Sequence, residues 1–262
     1  MTLLAVENLS KSFGGVQALS AVSFTVSAGE IMGLIGPNGA GKTTCFNLIN
    51  GLLSPSGGSI RLAARDLGGL SPYARARLGL ARTFQNVQLF GGMTVLENVL
   101  TGRHLRQRVG SLAALLPLPQ VSRARAENRE RGLSLLELVG LNGREDFPAE
   151  ALAYGDQRRL EIARALAQEP ELLMMDEPAA GLNPRETEDL MALLERLRGM
   201  GITLLLIEHD LTLVMGLCHR VAVLDYGEVI ASGVPQDIRR DPRVIEAYLG
   251  REEEEGEVEG GG

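Results

Sequence analysis

Apolar positions along this chain fall into two kinds of short run. Residues 2–9 and 22–26 alternate apolar and polar side chains, and Gly57-Gly58 and Gly68-Gly69 bracket a further run at 59–63. A period of two marks a strand with one buried face, so these segments predict an antiparallel β layer. Residues 30–35, 172–175, 202–207 and 221–224 are instead apolar almost throughout. Strands buried on both faces need that composition, and the helical patterns between them predict a parallel sheet with βαβ crossovers. Residues 45–49 continue as a helix from the first of these strands. Asn183-Pro184-Arg185-Glu186 supplies an N-cap, a proline at the first helical position and an acid at the third, so a helix is predicted from there to about Gly199.

Between Asn86 and Glu150 the strand signal stops. Residues 94–103 and 122–139 carry apolar side chains at helical spacing, the second with charges of both signs on its other face, which predicts an all-helical insertion. Residues 112–119, apolar and proline-ended, read either as a packed loop or as a partner-facing patch. The expected organisation is one domain over residues 1–250. Its core comprises 1–85 and 151–250, its helical subdomain 86–150, and a Glu/Gly tail over 251–262 has the composition of a disordered segment.

Composition narrows the class. A chain of 262 residues can bury a substantial core. No apolar run approaches the 18 or more residues of a membrane span, and the start has no basic region before Glu7, so neither a span nor a secretory signal is expected and a cytoplasmic location follows. The formal charge is -7, but the tail holds six glutamates and one arginine (-5), leaving -2 for the rest. A body so near neutral argues against nucleic acid as a partner. The two cysteines, Cys45 and Cys218, lack both disulfide-framework and metal-ligand spacing. Cys45 reads as a small buried residue or, in the alternative, as an oxidation-prone thiol.

Four loops carry the chemistry. Residues 36–44 read Gly36-Pro37-Asn38-Gly39-Ala40-Gly41-Lys42-Thr43-Thr44 and lie between a buried strand and a helix. That frame wraps phosphates in backbone amides and points a positive helix N-terminus at them. Lys42 is expected to reach the β and γ phosphates of ATP and Thr43 to hold Mg²⁺. Only Lys11 and Lys42 are lysines among 26 basic residues, and a compact ammonium fits a nest of amides where a guanidinium does not. Asp176 and Glu177 end an apolar strand, where open α/β sheets bind ligands. Asp176 is expected to hold Mg²⁺ through its water shell, and Glu177 to be the general base toward a water in line with the γ phosphate.

Gln85, after a short apolar strand, offers a neutral amide to Mg²⁺ and that water, and sits where the helical insertion begins. His209 ends residues 203–209 at another strand tip, within reach of the γ phosphate. Phe13 precedes the core by the distance that suits an aromatic face under adenine, with core packing as the alternative. His104 and His219 have no such context. Leu152-Ala153-Tyr154-Gly155-Asp156 runs straight into a strong helix, a second anion site. One nucleotide cannot occupy two helix N-termini far apart in one chain, so two copies packed head to tail, each offering this loop to the other's ATP, are expected.

Six motifs in order give the chain its resemblance to the ATP-binding subunits of ABC transporters: Walker A at 36–44, the Q-loop Gln85, the signature at 152–156, Walker B at 172–177, the D-loop at 180–183 and the H-loop His209. The segments around Arg82, 152–164, 176–184, 207–210 and 241–250 are similar to the LivG-type ATPases of branched-chain amino-acid importers. The resemblance implies an α/β fold, a P-loop NTPase (RecA-like) core with an antiparallel β layer and an inserted all-helical subdomain. It also implies closure driven by ATP and Mg²⁺ with a second copy or a related ATPase. Two transmembrane permease subunits would dock near the Q-loop at the cytoplasmic face of the inner membrane, fed by an extracytoplasmic substrate-binding protein. Urea or amide uptake and lipid export are alternative cargoes, and a soluble ABC ATPase of DNA repair or translation is the alternative class. Ala153 stands where the signature has serine and Asn183 where the D-loop has aspartate; both also resemble the LivG type.

Overall fold

The structure is a computed structural model, and it describes residues 1–106 and 119–248. The apolar segment at 112–119 therefore falls almost wholly outside the described residues, as does the acidic tail.

Two sheets form the frame. In the first, β1 (Thr2–Phe13), β2 (Val16–Ser27), β4 (Gly57–Leu62) and β5 (Arg65–Asp66) pair antiparallel in the order β2-β1-β4-β5. Leu4, Val6 and Leu9 on β1 and Leu19, Val22, Phe24 and Val26 on β2 point inward. Both strands outrun their predicted ends because register shifts at Val6/Leu9 and beyond break the period of two. The strands continue through polar residues to a hairpin at Gly14-Gly15.

The second sheet holds β3 (Ile31–Ile35), β6 (Leu80–Arg82), β7 (Leu172–Asp176), β8 (Thr203–Ile207), β9 (Arg220–Asp225) and β10 (Glu228–Gly233) in the order β10-β9-β3-β8-β7-β6. All neighbours are parallel except β10 with β9. The predicted parallel sheet is present. The edge strand β10 was not expected; it returns through Tyr226-Gly227, both at positive φ, in a tight hairpin.

Each central strand feeds two cores. Ile31, Leu173, Met175, Leu204, Leu206, Val221 and Val223 face one side, against α5 (Tyr154–Leu166), α6 (Pro184–Gly199) and α7 (Leu211–Leu217). Met32, Leu34, Leu172, Met174, Leu205, Ile207 and Leu224 face the other, against α1 (Lys42–Asn50) and the antiparallel sheet. Burial on both faces is what made these runs continuously apolar.

Within residues 86–150 the described segments contain α3 (Val95–Gly102), α4 (Pro119–Leu138) and 3₁₀ turns. Thr94 caps α3 in a capping box with Glu97. The predicted start of α6 is present in full: Asn183 accepts from the Glu186 amide at 3.0 Å and Glu186 from the Asn183 amide at 2.9 Å. The short α2 (Pro72–Arg77) precedes β6, and α8 (Pro235–Ile238) precedes a closing helix over residues 242–248.

Candidate functional site

Because β3, β6, β7 and β8 run parallel, their C-terminal ends open onto one edge of the sheet, and the sequence hangs a functional loop on each. After β3 the chain turns at Gly36 with φ +147°. A side chain there would overlap the Leu224 carbonyl, and one at Gly41 (φ +102°) would lie 2.7 Å from the Leu19 Cδ2. Only glycine fits either position. Gly39, also at positive φ, completes the turn, with Asn38 exposed beside it.

Lys42 Nζ donates to the carbonyls of Gly36 at 2.6 Å and Pro37 at 2.9 Å, so the ammonium lies inside the concavity of its own loop. Thr43 is exposed and Thr44 half-buried on the first turn of α1. That helix starts without a side-chain cap and with no acid in its first turn. Its first-turn N–H groups have no acceptor within the helix and point its positive end at the loop.

Asp176 is buried and pairs with Arg82, Oδ2 to Nη2 at 2.8 Å, both side chains about 5% exposed or less. The other arm of Arg82 donates to Asn47 Oδ1 at 2.6 Å. Burial raises the Asp176 carboxyl above the ordinary aspartate range, and Arg82 opposes that rise. Glu177 follows in the left-handed region (φ +47°), with its amide held by the Ile207 carbonyl at 2.9 Å. That turn swings its carboxylate to the sheet's edge. There Gln85 Nε2 donates to Glu177 Oε2 at 2.9 Å, and His209 Nδ1 stands 3.8 Å from Oε1. Three residues from three distant segments thus converge at one carboxylate.

Beneath them, Glu208 is 1% exposed and accepts the amides of Ala179 at 3.0 Å and His209 at 3.3 Å. Burial raises its carboxyl as well. Neither Arg82 nor Glu208 was singled out from the sequence for a role in the site. The available signal was a charge inside or directly after an apolar strand, where an unpaired charge would be too costly.

The second loop lies elsewhere. Ala153 is the N-cap of α5 and contributes no side-chain bond. Tyr154 is exposed, Gly155 is buried, and a side chain at Gly155 would come within 2.6 Å of Glu186. Asp156 is paired with Arg144. Gly181 of the D-loop packs on the Tyr154 ring. The α1 N-terminus has other neighbours: Leu19 and Ala18 beside Gly41, and the amide of Gly227 bonded to Ala40.

Phe13 is 46% exposed at the end of the β1–β2 hairpin, with the Lys11 ammonium 4.9 Å from its ring. Core packing is therefore not its role. His219 accepts the Ile31 amide at 3.3 Å, a structural contact. Cys45 is fully buried with its thiol pushed up to about 12, which removes the oxidation-prone reading.

The model of the ABC transporter family matches residues 19–180, and that of the branched-chain amino acid ATP-binding cassette transporter matches residues 228–254. The high-affinity branched-chain amino acid transport ATP-binding protein LivG of Salmonella typhimurium is 50% identical over 249 residues, 95% of this chain and 98% of that protein. Among solved structures, a nucleotide-free ATP-binding cassette from an ABC transporter superposes with a TM-score of 0.83 at 34% identity, covering 95% of this chain and 99% of that one. A dimeric cassette in a post-hydrolysis state, bound to ADP and Pi, superposes with a TM-score of 0.75 at 26% identity, covering 89% and 99%.

Proposed function

This chain belongs to the family of ABC transporter ATP-binding proteins and is an ATPase, and we propose that it powers the import of branched-chain amino acids through a membrane permease. One observation carries the hydrolytic mechanism: the Glu177 carboxylate at the strand tip, bonded to the Gln85 amide at 2.9 Å and faced by His209 at 3.8 Å. A carboxylate so placed takes the proton from a water in line with the γ phosphate. The water oxygen bonds to phosphorus as the bond to ADP breaks, giving ADP and phosphate. Gln85 orients the water and His209 steadies the γ phosphate.

Lys42 exchanges the Gly36 and Pro37 carbonyls for β and γ phosphate oxygens, and the amides of residues 36–44 with the α1 N-terminus hold the rest. Thr43, Gln85 and Asp176 offer hydroxyl, amide and carboxylate oxygen. An all-oxygen set with one carboxylate suits Mg²⁺, which takes its remaining ligands from phosphates and water. Bound Mg²⁺ would offset the charge on the β and γ phosphates. Asp176 would act through its water shell, because Arg82 holds its Oδ2.

The separate surroundings of the α1 and α5 N-termini support a sandwich of two cassettes. In it Ala153, Tyr154, Gly155 and Asp156 of one chain close over the ATP held by the other, with Phe13 under the adenine. The second cassette is this chain again or a related ATPase. Two permease subunits would dock on a groove lined by Met93, Glu97, Leu100, Thr101 and His104, beside the exposed Phe90 and Phe147. Exposed apolar side chains at that density suit a partner surface. No helix among the described residues is long and apolar enough to cross a membrane; the chain would act as a peripheral subunit at the cytoplasmic face, below an extracytoplasmic binding protein. The match over residues 228–254 favours amino-acid import over urea uptake or lipid export.

The test is a pull-down of tagged Glu177→Gln chain with Mg-ATP from its native membranes, read by mass spectrometry. A pair of multispanning permeases and a branched-chain amino-acid binding protein are expected. Recovery of soluble or nucleic-acid-bound partners alone would overturn the transport reading.

A further inference from the structure

The helix that begins at the signature loop is bolted to the backbone of the Q-loop. Arg158 Nη1 donates to the Phe84 carbonyl at 2.9 Å and Nη2 to the Gln85 carbonyl. The Phe84 amide donates to Glu161 Oε1 at 3.2 Å, and Arg158 and Glu161 lie 3.5 Å apart. Both side chains are nearly sealed, at 4% and 2% exposure. One helical turn back, the Tyr154 ring stacks 5.5 Å from the Arg158 guanidinium.

A buried ion pair is poor value as glue, since two apolar side chains of the same volume would hold α5 as well or better. What this pair adds is direction. Three of its polar contacts address backbone atoms of residues 84 and 85, which fixes where the Gln85 side chain starts, and that side chain ends on Glu177. Tyr154, Arg158, the Gln85 backbone, the Gln85 amide and Glu177 thus form one unbroken path of contacts. At one end is the loop that would meet the partner's ATP, and at the other the base that would take the proton from the water attacking this chain's own.

We propose that Arg158 and Glu161 are positioning residues that couple the two ATP sites of the sandwich. ATP held by the partner and pressed against Tyr154 and Gly155 shifts α5 as a rigid body, and the Arg158–Glu161 clasp carries that shift to Gln85 and so to Glu177. This inference rests on the two-cassette reading given above. Reciprocity follows, because each chain offers one such helix to the other, so hydrolysis is cooperative in ATP.

The experiment compares wild type, Arg158→Gln, Arg158→Lys and Glu161→Gln as full chains in the assembly they form, reading hydrolysis against Mg-ATP concentration, ADP affinity by calorimetry, and melting temperature. Wild type is expected to give a Hill coefficient above 1. In Arg158→Gln it falls to 1 and kcat drops by up to about 10²-fold, the cost of misplacing a reacting group by about 1 Å, while ADP affinity stays within about twofold. Arg158→Lys, which still donates to both carbonyls, recovers part of each. If Arg158→Gln does not fold, Glu161→Gln decides, with the same loss expected. A folded variant that keeps the wild-type Hill coefficient and kcat would overturn the coupling. In a parallel sizing run with ATP, Glu177→Gln must pair, either with itself or with the related ATPase that its pull-down recovers; a chain that stays single in both cases overturns the two-cassette reading and this inference with it.

Discussion

Replacing Arg82 by leucine tests how the strand-end carboxylate is held. The wild-type pair is 2.8 Å long, with side-chain exposures of 4% and 5%. Arg82 also donates to Asn47 at 2.6 Å and lies 5.6 and 5.1 Å from the rings of Phe46 and Phe84. Leucine keeps much of the aliphatic volume and strands the Asp176 charge in a site water barely reaches. Removing one partner of a buried pair costs about 3–5 kcal/mol. At about 2–4 °C per kcal/mol for a domain of this size, the melting temperature should fall by roughly 6–20 °C.

The second substitution isolates the cause. Asp176→Asn in the Arg82→Leu background removes the stranded charge and should restore most of the loss. Urea unfolding followed by far-UV circular dichroism, with the m-value checked for constancy, gives both numbers. A loss under about 1 kcal/mol for Arg82→Leu, the range of an exposed pair, would refute the argument. So would a double variant no more stable than the single one.

Other expectations follow from single positions. Gly36→Ala carries roughly 1–3 kcal/mol of backbone strain before its overlap with the Leu224 carbonyl is counted. ADP affinity measured by calorimetry should therefore fall by about tenfold or more. Cys45 and Cys218 are buried with thiols pushed up to about 12, so at pH 8 roughly one in ten thousand of either is thiolate. A thiol-disulfide dye should react with neither in the native chain and with both after denaturation. Glu208, raised by burial, is stabilising to keep protonated; its contribution is present at low pH and is lost as pH rises through the elevated value. Wild type should therefore lose stability relative to Glu208→Gln as pH rises from the ordinary glutamate range through the raised value, read from urea midpoints; a constant difference would remove Glu208 as the titrating group.

The loops of the candidate site were legible because the chemistry proposed for them demands particular residue types at local spacing. A phosphate loop needs glycines where side chains would collide, and a base needs a carboxylate just past a buried strand. Their partners were not legible. Arg82 meets Asp176 across 94 residues, and Arg158 meets the Gln85 carbonyl across 73; no local pattern encodes such a meeting. Arg158 and Glu161 are charged side chains that α5 buries beside Leu160 and Ile162, so the alternation of apolar and polar positions does not mark them. Among the strands, the parallel ones announced themselves by continuous apolar runs. The ends of β1 and β2 were hidden by bulges, and β10 by its half-exposed edge position. The Arg82 and Arg158 contacts share one feature, which is that a buried charge in an apolar context has a partner somewhere in the chain.

The most direct test of the central claim is the rate of phosphate release from Mg-ATP by wild type and Glu177→Gln, measured beside ATP affinity. The isosteric change leaves the phosphate contacts of Lys42 and α1 in place and removes only the proton acceptor. ATP should bind with near wild-type affinity while turnover falls by about 10²- to 10⁴-fold, the usual contribution of a general base. Turnover within about threefold of wild type, at unchanged ATP affinity, would contradict the account and take the role of base away from Glu177.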